Sequence, residues 1–265
     1  MRPPNYWERP GLERAILDAL VKAGKNIAAL TIDDLALADH FHSGGKSATE
    51  RLARLAGVAT GVRVLDVGGG LGGPARTLAV RCGARVVVVD PTVSYVETGA
   101  ALTARLGLAE RVTHVVGDAL ALSFDPGAFD MVWTQNSGMN IADKVRLYAG
   151  FHRVLRPGGL LALQEPMAGP VQPPIFPLMW ATDAAQSFLR PPDEMRALIA
   201  AAGFAERAWE DVTAETAAPA TAESIPAHSA QRLIMGDALD AIIRANHRNR
   251  AEGRMVSIQA VFERT

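Results

Sequence analysis

The chain has 265 residues, of which 49% are hydrophobic, and its 27 basic and 28 acidic residues give a net charge of −1. These values are typical of a globular protein with one large domain, and they exclude a strongly basic nucleic-acid-binding surface. Cys82 is the only cysteine, which excludes a disulfide framework and favours the reducing cytoplasm. No stretch approaches the ~18 apolar residues of a membrane span, and the N-terminus lacks a signal-peptide pattern. We therefore expect a cytoplasmic protein without a membrane partner.

The first 60 residues are predicted to be mainly helical. Amphipathic spacing predicts a helix over 11–24, and two further helices are predicted over 31–37 and 47–55. The break between the last two reads Asp39-His-Phe-His-Ser-Gly-Gly45, which we interpret as a loop that faces a pocket. His42 in this loop is a candidate functional residue, whereas His40 is equally compatible with a solvated helix cap. We expect residues 1–60 to form an N-terminal helical cap.

From residue 62 onward, strand and helix patterns alternate, which indicates parallel strands joined by crossover helices. The predicted strands are 62–67, 85–89, 112–116, 129–134, 160–165, 205–212 and 256–262. The predicted helices begin near Pro74, at the capping-box pattern Ser94-Tyr-Val-Glu97, at Asp143 and at Asp193, and a long helix covers 230–246. The fold class is therefore α/β, with a Rossmann-like, seven-stranded, mostly parallel sheet, helices on both faces and a helical or loop cap.

The main domain is expected over 61–265, with insertions at 166–190 and 213–250 that roof the carboxyl edge of the sheet. The first insertion is rich in proline and irregular, and residues 213–230 resemble a linker. A basic cluster, His247-Arg-Asn-Arg250, lies near the end of the last predicted helix. We interpret it as a solvated helix terminus that complements the helix dipole, rather than as a phosphate site.

A glycine loop follows the first predicted strand directly, with five glycines among residues 68–73. Gly68, Gly70 and Gly73 satisfy the G-x-G-x-x-G spacing of dinucleotide-binding loops, although this motif alone is weakly specific. Asp66 stands two residues before the first glycine, where a dinucleotide fold normally keeps an apolar residue. A carboxylate at this point suits a ligand with an ammonium group, such as the methionine end of S-adenosylmethionine.

Further carboxylates follow the next two strands, on the ligand-binding edge of such a sheet. Asp90 suits paired hydrogen bonds to ribose hydroxyls, and Asp118 beside Ala119 suits the amino group of adenine. Each could be only a turn or cap residue, but three carboxylates at matching strand ends favour a cofactor site. A nicotinamide-dependent oxidoreductase remains an alternative, although no tyrosine is followed four residues later by the lysine of short-chain dehydrogenases.

Four motifs in chain order resemble those of class I S-adenosylmethionine-dependent methyltransferases. They are Leu65-Asp-Val-Gly-Gly-Gly-Leu-Gly-Gly73, Val89-Asp-Pro91, Gly117-Asp-Ala119 and Arg153-Val-Leu-Arg-Pro-Gly-Gly159. Within that superfamily, the loop at 39–45 and Trp133-Thr-Gln135 resemble the sarcosine/dimethylglycine methyltransferase-like group. The resemblance covers roughly residues 35–212 and is more specific for the superfamily than for this group.

The resemblance implies a set of cofactor contacts. It implies that Gly68 and Gly70 contact the cofactor by their backbone, with Gln135 near the methionine moiety. It implies Asp90 and Pro91 at the ribose, and Asp118 and Ala119 at the adenine. In one respect the chain departs from the group, which tends to carry an aspartate after the glutamine and a histidine a few residues later. Asn136 and Asn140 stand at those places, which puts the substrate in doubt.

The expected chemistry is methyl transfer to a small molecule, in which alignment of the reacting atoms supplies much of the rate. We predict His42, Asn140 and Glu165 as catalytic positions, since His42 or Glu165 could act as a general base for a carbon or hydroxyl acceptor. The predicted substrate contacts are Asn136, Met139 and Trp180, although Asn136 also fits a plain turn and Trp180 plain packing. We expect no metal, because His40 and His42 lack further ligands at suitable spacing.

The leading hypothesis is an S-adenosylmethionine-dependent methyltransferase for a small molecule, with an amine such as an N-methylated glycine as the candidate acceptor. One alternative keeps the cofactor and moves the methyl group to a carbon or oxygen of a larger apolar metabolite. A nicotinamide-dependent oxidoreductase and a non-catalytic cofactor-binding module are alternatives from other classes. We expect no nucleic-acid partner, and the sequence leaves a homo-oligomer open.

Overall fold

One seven-stranded sheet forms the centre of the computed structural model, which describes residues 7–217 and 222–265. The strands are β1 (Arg63–Val67), β2 (Arg85–Asp90), β3 (Val112–Val116), β4 (Phe129–Gln135), β5 (Leu155–Ala168), β6 (Phe204–Asp211) and β7 (Met255–Arg264). Their order across the sheet is β3-β2-β1-β4-β5-β7-β6. Strands β1 to β5 pair in parallel, and β7 runs antiparallel between β5 and β6. The predicted Rossmann-like sheet is confirmed.

Helices cover both faces of this sheet and its carboxyl edge. They are α1 (Leu12–Lys22), α2 (Ile32–Asp39), α3 (Gly45–Leu55), α4 (Gly73–Arg81), α5 (Val93–Arg105), α6 (Lys144–Val154), α7 (Pro192–Ala201), α8 (Ala230–Met235) and α9 (Leu239–Ala251). On one face, Leu52 of α3 and Leu78 of α4 are fully buried in a cluster with strand residues. On the other face, Phe151 of α6 and Ile199 of α7 are buried in the same way. The apolar strands β1 and β2 are therefore buried on both sides, as parallel strands usually are.

A separate apolar core joins the N-terminal helices to the two C-terminal helices. Ile16 and Leu20 of α1 and Leu35 of α2 are fully buried against Ile234 of α8 and Ile243 of α9. Full burial of one such side chain contributes about 1.5–3 kcal/mol. The roof over the carboxyl edge is thus built from both ends of the chain, and the boundaries predicted for the cap and the insertions remain predictions.

Two helix predictions were wrong. The capping box at Ser94 does not form: the N-cap of α5 is Thr92, and the carboxylate of Glu8 accepts the backbone N–H groups of Val93 and Ser94. The long helix predicted over 230–246 is two helices, α8 and α9, with a 3₁₀ turn between them. Gly236 at φ +52° lies at this break, and glycine adopts that backbone conformation without the cost that other residues incur.

Strand β5 is longer than the predicted 160–165, because Pro157-Gly-Gly159 lies within it and α6 already ends at Val154. Polar and apolar residues alternate along part of β7, but its polar residues do not form a solvated face. Ser257 and Gln259 are buried, since α3 and α9 pack near this strand. In the predicted linker, residues 218–221 lie outside the described part of the chain.

Candidate functional site

A cavity of about 680 Å³ opens at the carboxyl ends of β1, β2 and β4. Its floor is the glycine loop, and its roof comes from the loop after α2, the segment after β5 and the last two helices. This volume lies in the range of about 300–1,000 Å³ that is usual for small-molecule sites. Most of the residues predicted for the site line this one cavity.

The glycine loop has no room for side chains at its centre. Gly68 and Gly70 have φ values of +70° and +54°, which favour glycine. A Cβ atom on Gly69 would stand 2.6 Å from Oδ2 of Asp66, and one on Gly68 would stand 2.4 Å from Cβ of Ser137. The loop therefore presents bare backbone to the cavity beside the Asp66 carboxyl group.

Asp66 is buried, and its Oδ2 atom has no hydrogen-bond partner within the described structure. Burial raises the pKa of this carboxyl group to about 8, with a further contribution from the negative charge of Asp90. A buried acceptor without a partner is costly unless a ligand donates to it. An ammonium group beside Asp66 would supply both the donors and the opposite charge.

Asp90 links the glycine loop to the end of β2. Its Oδ2 accepts a hydrogen bond from the backbone N–H of Gly70 at 3.0 Å, and its Oδ1 accepts one from Thr92 at 2.9 Å. Burial raises the pKa of Asp90, whereas these hydrogen bonds act to lower it. Pro91 beside it lines the cavity.

At the end of β3, Asp118 and Ala119 line the same cavity. Oδ1 of Asp118 accepts a hydrogen bond from the backbone N–H of Leu120 at 2.8 Å, which orients the carboxylate. The structure thus brings together the three strand-end carboxylates that the sequence singled out.

Gln135, at the end of β4, lines the cavity but is held mainly by protein atoms. Its Oε1 accepts hydrogen bonds from Oγ1 of Thr49 and from Nε1 of Trp133, each at 2.9 Å. The Oγ1 atom of Thr49 also lies 3.1 Å from Nε2 of His42. The predicted cofactor contact of Gln135 remains a prediction, and the geometry shows that Gln135 also supports the His42 loop.

Both ring nitrogens of His42 lie within hydrogen-bond distance of protein atoms. Nε2 is next to Thr49, and Nδ1 is 3.2 Å from the carbonyl oxygen of Ser43. Burial lowers the pKa of His42 to about 3, and the neighbouring His40 adds to this effect. His42 lines the cavity as a neutral ring, so it is a weak base, and its catalytic role stays a prediction.

The turn after β4 carries three of the predicted substrate and catalytic residues. Asn136 adopts φ +52°, and its Nδ2 donates to Oγ of Ser43 at 3.4 Å. Nδ2 of Asn140 donates to the carbonyl oxygen of Ser137 at 3.2 Å. Met139 is buried, and all three predicted residues line the cavity.

Trp180 forms part of the apolar roof. It is buried beside Met139, and its Nε1 donates to Oγ of Ser187 at 3.1 Å. The ring both packs in this cluster and lines the cavity. A role in packing and a role as a substrate wall are therefore compatible.

Glu165 lies behind the turn after β4 and is not among the residues that line the cavity in the described structure. Its Oε1 accepts the backbone N–H groups of Ser137 and Gly138, at 3.2 and 2.8 Å. Burial raises its pKa, and Lys144, which donates to the carbonyl groups of Gly138 and Ile141, opposes this. The geometry indicates that Glu165 supports the turn after β4. Its catalytic role stays a prediction, and its side chain does not line the cavity.

Sequence reasoning missed two charged side chains near the site. Arg76 of α4 is fully buried and donates to Asp39 at 2.9 Å, while Asp39 is 2.6 Å from Nδ1 of His40. His40 is therefore a buried member of this network rather than a solvated cap. The solvated interpretation of the basic cluster was wrong for Arg250, which is half-buried and lines the cavity. No local pattern distinguishes these arginines from surface ones, because their partners are distant in sequence.

Among the residues that the structure describes, no group of three His, Cys, Asp or Glu side chains could hold a metal ion. None of the described helices has both the length and the apolar character that a membrane crossing would need.

Comparison with known proteins assigns part of this geometry to a family. Residues 64–159 match the family described as a methyltransferase domain. This range includes the glycine loop and the three strand-end carboxylates, but not the segments that form the roof of the cavity. A sterol 24-C-methyltransferase of Eremothecium gossypii is 37% identical over 114 residues, which are 43% of this chain and 31% of that protein. Methyltransferase GfsG of Streptomyces halstedii is 34% identical over 127 residues, 48% of this chain and 46% of that protein. The match spans less than half the length of either relative.

Solved structures resemble the whole chain. Geranyl diphosphate C-methyltransferase from Streptomyces coelicolor, with S-adenosyl-L-homocysteine, has a TM-score of 0.72 at 21% identity and covers 98% of this chain and 96% of its own. A Galdieria sulphuraria protein provisionally assigned as a sarcosine dimethylglycine methyltransferase has a TM-score of 0.68 at 16% identity. The match covers 96% of this chain and 98% of that protein. The [4+2]-cyclase SpnF has a TM-score of 0.64 at 19% identity, and the match covers 96% of this chain and 94% of that protein.

The fold of the chain is thus that of the class I methyltransferases, as the resemblance in sequence predicted. The expectations of a methyltransferase and of S-adenosylmethionine as its cofactor agree with these comparisons. The narrower sarcosine/dimethylglycine grouping is not distinguished, because proteins named for geranyl diphosphate and sterol substrates are similar to this chain as well.

Proposed function

We propose that this chain is an S-adenosylmethionine-dependent methyltransferase that acts on a small, mainly apolar molecule. The observation that carries the proposal is one continuous cavity that joins the glycine loop and three carboxylates to an apolar roof. The methyltransferase-domain match over 64–159 supports the cofactor half of this proposal. The activity and the acceptor are proposals for this chain, since its relatives are covered only in part.

The residues present fit the cofactor. Asp66 has a buried oxygen without a partner within the described structure. It lies next to a loop that has no room for side chains at Gly68 and Gly69, so the backbone there is open to a ligand. Asp66 would hold the ammonium group, Asp90 the ribose hydroxyls and Asp118 the adenine amino group. The cofactor supplies an activated, positively charged methyl donor when it is bound. The protein then contributes alignment of the acceptor and exclusion of water.

A carbon acceptor fits the roof better than the amine of the leading sequence hypothesis. Met139, Met179, Trp180, Ile243 and Met255 all line the cavity, so an apolar body would bury its surface there. The low basicity of His42 and the absence of Glu165 from the cavity lining do not separate the two acceptors, because neither an alkene carbon nor a neutral amine must lose a proton before it attacks. The names of the sterol and geranyl diphosphate relatives support the same choice.

Two other functions stay open on specific observations. An amine such as an N-methylated glycine needs no base in its neutral form, and Trp180 could face the ammonium product. The likeness to the Galdieria protein supports this second candidate. The likeness to a [4+2]-cyclase supports the alternative that a chain with this fold has a function other than methyl transfer.

Calorimetry with S-adenosylhomocysteine followed by a methyl-transfer screen tests the proposal. Acceptors would include isoprenoids, sterols, phenols and glycine derivatives, with transfer of a labelled methyl group as the measurement. We expect micromolar-range cofactor binding and transfer to apolar acceptors. Transfer to glycine derivatives alone would select the amine candidate, and binding without any transfer would select the non-catalytic one. Absence of cofactor binding at millimolar concentration would contradict the proposal.

A further inference from the structure

Arg250, in the last turn of α9, lines the cavity. Four of its N–H groups donate to protein oxygens: to the carbonyl of Thr213 at 2.8 Å, and to the hydroxyls of Thr216, Ser43 and Ser257 at 3.3, 3.2 and 3.4 Å. Its fifth donor, Nε–H, is buried and has no partner within the described structure. A guanidinium has five N–H donors and no acceptor, so one donor remains to be satisfied.

The positive charge of Arg250 is not neutralised by a direct ion pair. Among the described residues, no carboxylate oxygen lies within 4.0 Å of its guanidinium, whereas Arg248 of α9 and Arg254 just after α9 both pair with Glu252. Asp211 is close enough to raise the pKa of Arg250, but its Oδ1 accepts from the backbone and hydroxyl of Thr213. Burial has the larger effect and lowers the pKa. A half-buried cation among neutral hydroxyls is costly, and an anion beside it removes that cost.

Two neighbouring groups complete the polar end of the cavity. The Oγ atom of Ser43 accepts from Arg250 and from Asn136, so its own proton is left to donate elsewhere. One turn before Arg250 on α9, the buried Oδ1 atom of Asn246 has no partner within the described structure. Ser43, Asn246 and Arg250 all line the cavity. Arg250 and Ser43 thus offer a charged donor and a hydroxyl donor, which suit an anion, whereas the amide oxygen of Asn246 is an acceptor and suits a donor group.

We propose that Arg250, with Ser43, binds an anionic end group of the acceptor, either a carboxylate or a phosphate. The inference rests on the proposed function, because it assigns the polar end of the substrate whose apolar body lies under Met139 and Trp180. Arg250 is a specificity-determining residue in this arrangement. It selects amphipathic acids over neutral molecules of the same shape and sets the depth to which the apolar body enters.

The test compares eight-carbon probes that differ only in their end group: octanoate, octanamide, octyl phosphate and octanol. Each is titrated by calorimetry into protein saturated with S-adenosylhomocysteine. We expect octanoate or octyl phosphate to bind about tenfold or more tightly than its neutral counterpart. A preference for octanoate identifies a carboxylate acceptor, and a preference for octyl phosphate identifies a phosphate acceptor.

The matched variants are Arg250→Gln and Arg248→Gln, two residues apart on α9. Arg248 is exposed and pairs with Glu252, so its loss should leave the preference for the anionic probe intact. Arg250→Gln should abolish the preference while cofactor affinity stays at the wild-type value, and Arg250→Lys should retain part of it. Should Arg250→Gln not fold, the wild-type comparison of anionic with neutral probes still decides the matter.

Equal binding of charged and neutral probes by the wild type would overturn the inference. So would a loss of both kinds of probe by the same factor in Arg250→Gln. Either result with normal cofactor binding leaves the proposed function standing. Failure of the wild type to bind S-adenosylhomocysteine would instead contradict the proposed function itself.

Discussion

The backbone N–H of Gly70 donates a hydrogen bond to Oδ2 of Asp90 at 3.0 Å, so the carboxylate that should bind a ribose also holds the glycine loop. The other oxygen of Asp90 accepts from Thr92 at the start of α5. Loop, strand and helix therefore meet at one side chain. Removal of this side chain should disturb both the cofactor contact and the shape of the cradle.

We expect Asp90→Ala to weaken binding of S-adenosylhomocysteine by about 10- to 100-fold, since hydrogen bonds to a charged group are worth about 1.5–3 kcal/mol. Calorimetry measures the change. The control is Asp237→Ala, which removes an exposed aspartate and should leave the affinity unchanged. Equal affinities for the two variants would contradict the role given to Asp90.

Binding of the cofactor should release a proton from Asp66. The pKa of its carboxyl group is about 8 in the folded protein against 3.8 ordinarily. The folded chain thus holds more protons than the unfolded chain between these values, and its stability falls as pH rises through that window. An ammonium ligand favours the ionised form, so affinity should increase with pH up to about 8.

Calorimetry at neutral pH in two buffers of different ionisation enthalpy measures this proton release. The observed heat should differ between the buffers for the wild type and should not differ for Asp66→Asn. Identical heats for the wild type in both buffers would show that Asp66 is already ionised.

Gly69→Ala should damage the cofactor site by steric overlap. The new Cβ atom would stand 2.6 Å from Oδ2 of Asp66 and 2.8 Å from a methyl group of Val88. We expect a loss of stability of about 1–3 kcal/mol, the usual cost of overpacking, and a clear loss of cofactor affinity. Thermal unfolding with and without S-adenosylhomocysteine measures both effects.

Gly150→Ala, within α6, is the matched control. A Cβ atom at Gly150 would meet only atoms that are 3.7 Å away or farther. This variant should be neutral or slightly stabilising. Similar behaviour of the two alanine variants would argue against the tight cradle.

The buried pair of Arg76 and Asp39 should be important for folding. Arg76 also donates to the carbonyls of Leu71 and Gly99, and to Thr103, so it joins α2 and α4 to α5. Arg76→Met should cost about 3–5 kcal/mol, because it leaves Asp39 buried without its partner.

Urea denaturation measures this cost, with Arg14→Met as the control at an exposed position of α1. The control should stay within about 0.5 kcal/mol of the wild type. If Arg76→Met also changed the free energy of unfolding by only about 0.5 kcal/mol, the contact with His40 alone would be enough to stabilise the buried carboxylate of Asp39.

Local patterns predicted those parts of the molecule whose partners are near in sequence. The strand before the glycine loop and the cap of α6 by Asp143, which accepts from Arg146, are examples. Asp66, Asp90 and Asp118 were recognisable because parallel strands bring their carboxyl ends to one edge. That these three carboxylates and the glycine loop line one cavity could therefore be predicted from the sequence.

Contacts between distant segments decided the remainder. The start of α5 binds Glu8 instead of forming a capping box at Ser94, since the Glu8 carboxylate, 85 residues before Val93, accepts the N–H groups of Val93 and Ser94. Arg250 lines the cavity because Ser43, 207 residues earlier, folds against it. The amino-acid sequence by itself determined the sheet and the glycine loop with its three carboxylates, through short-range periodicity and strand-end chemistry. Only the tertiary structure decided which charges are buried around the rest of the cavity, because burial depends on packing between segments that no local pattern connects.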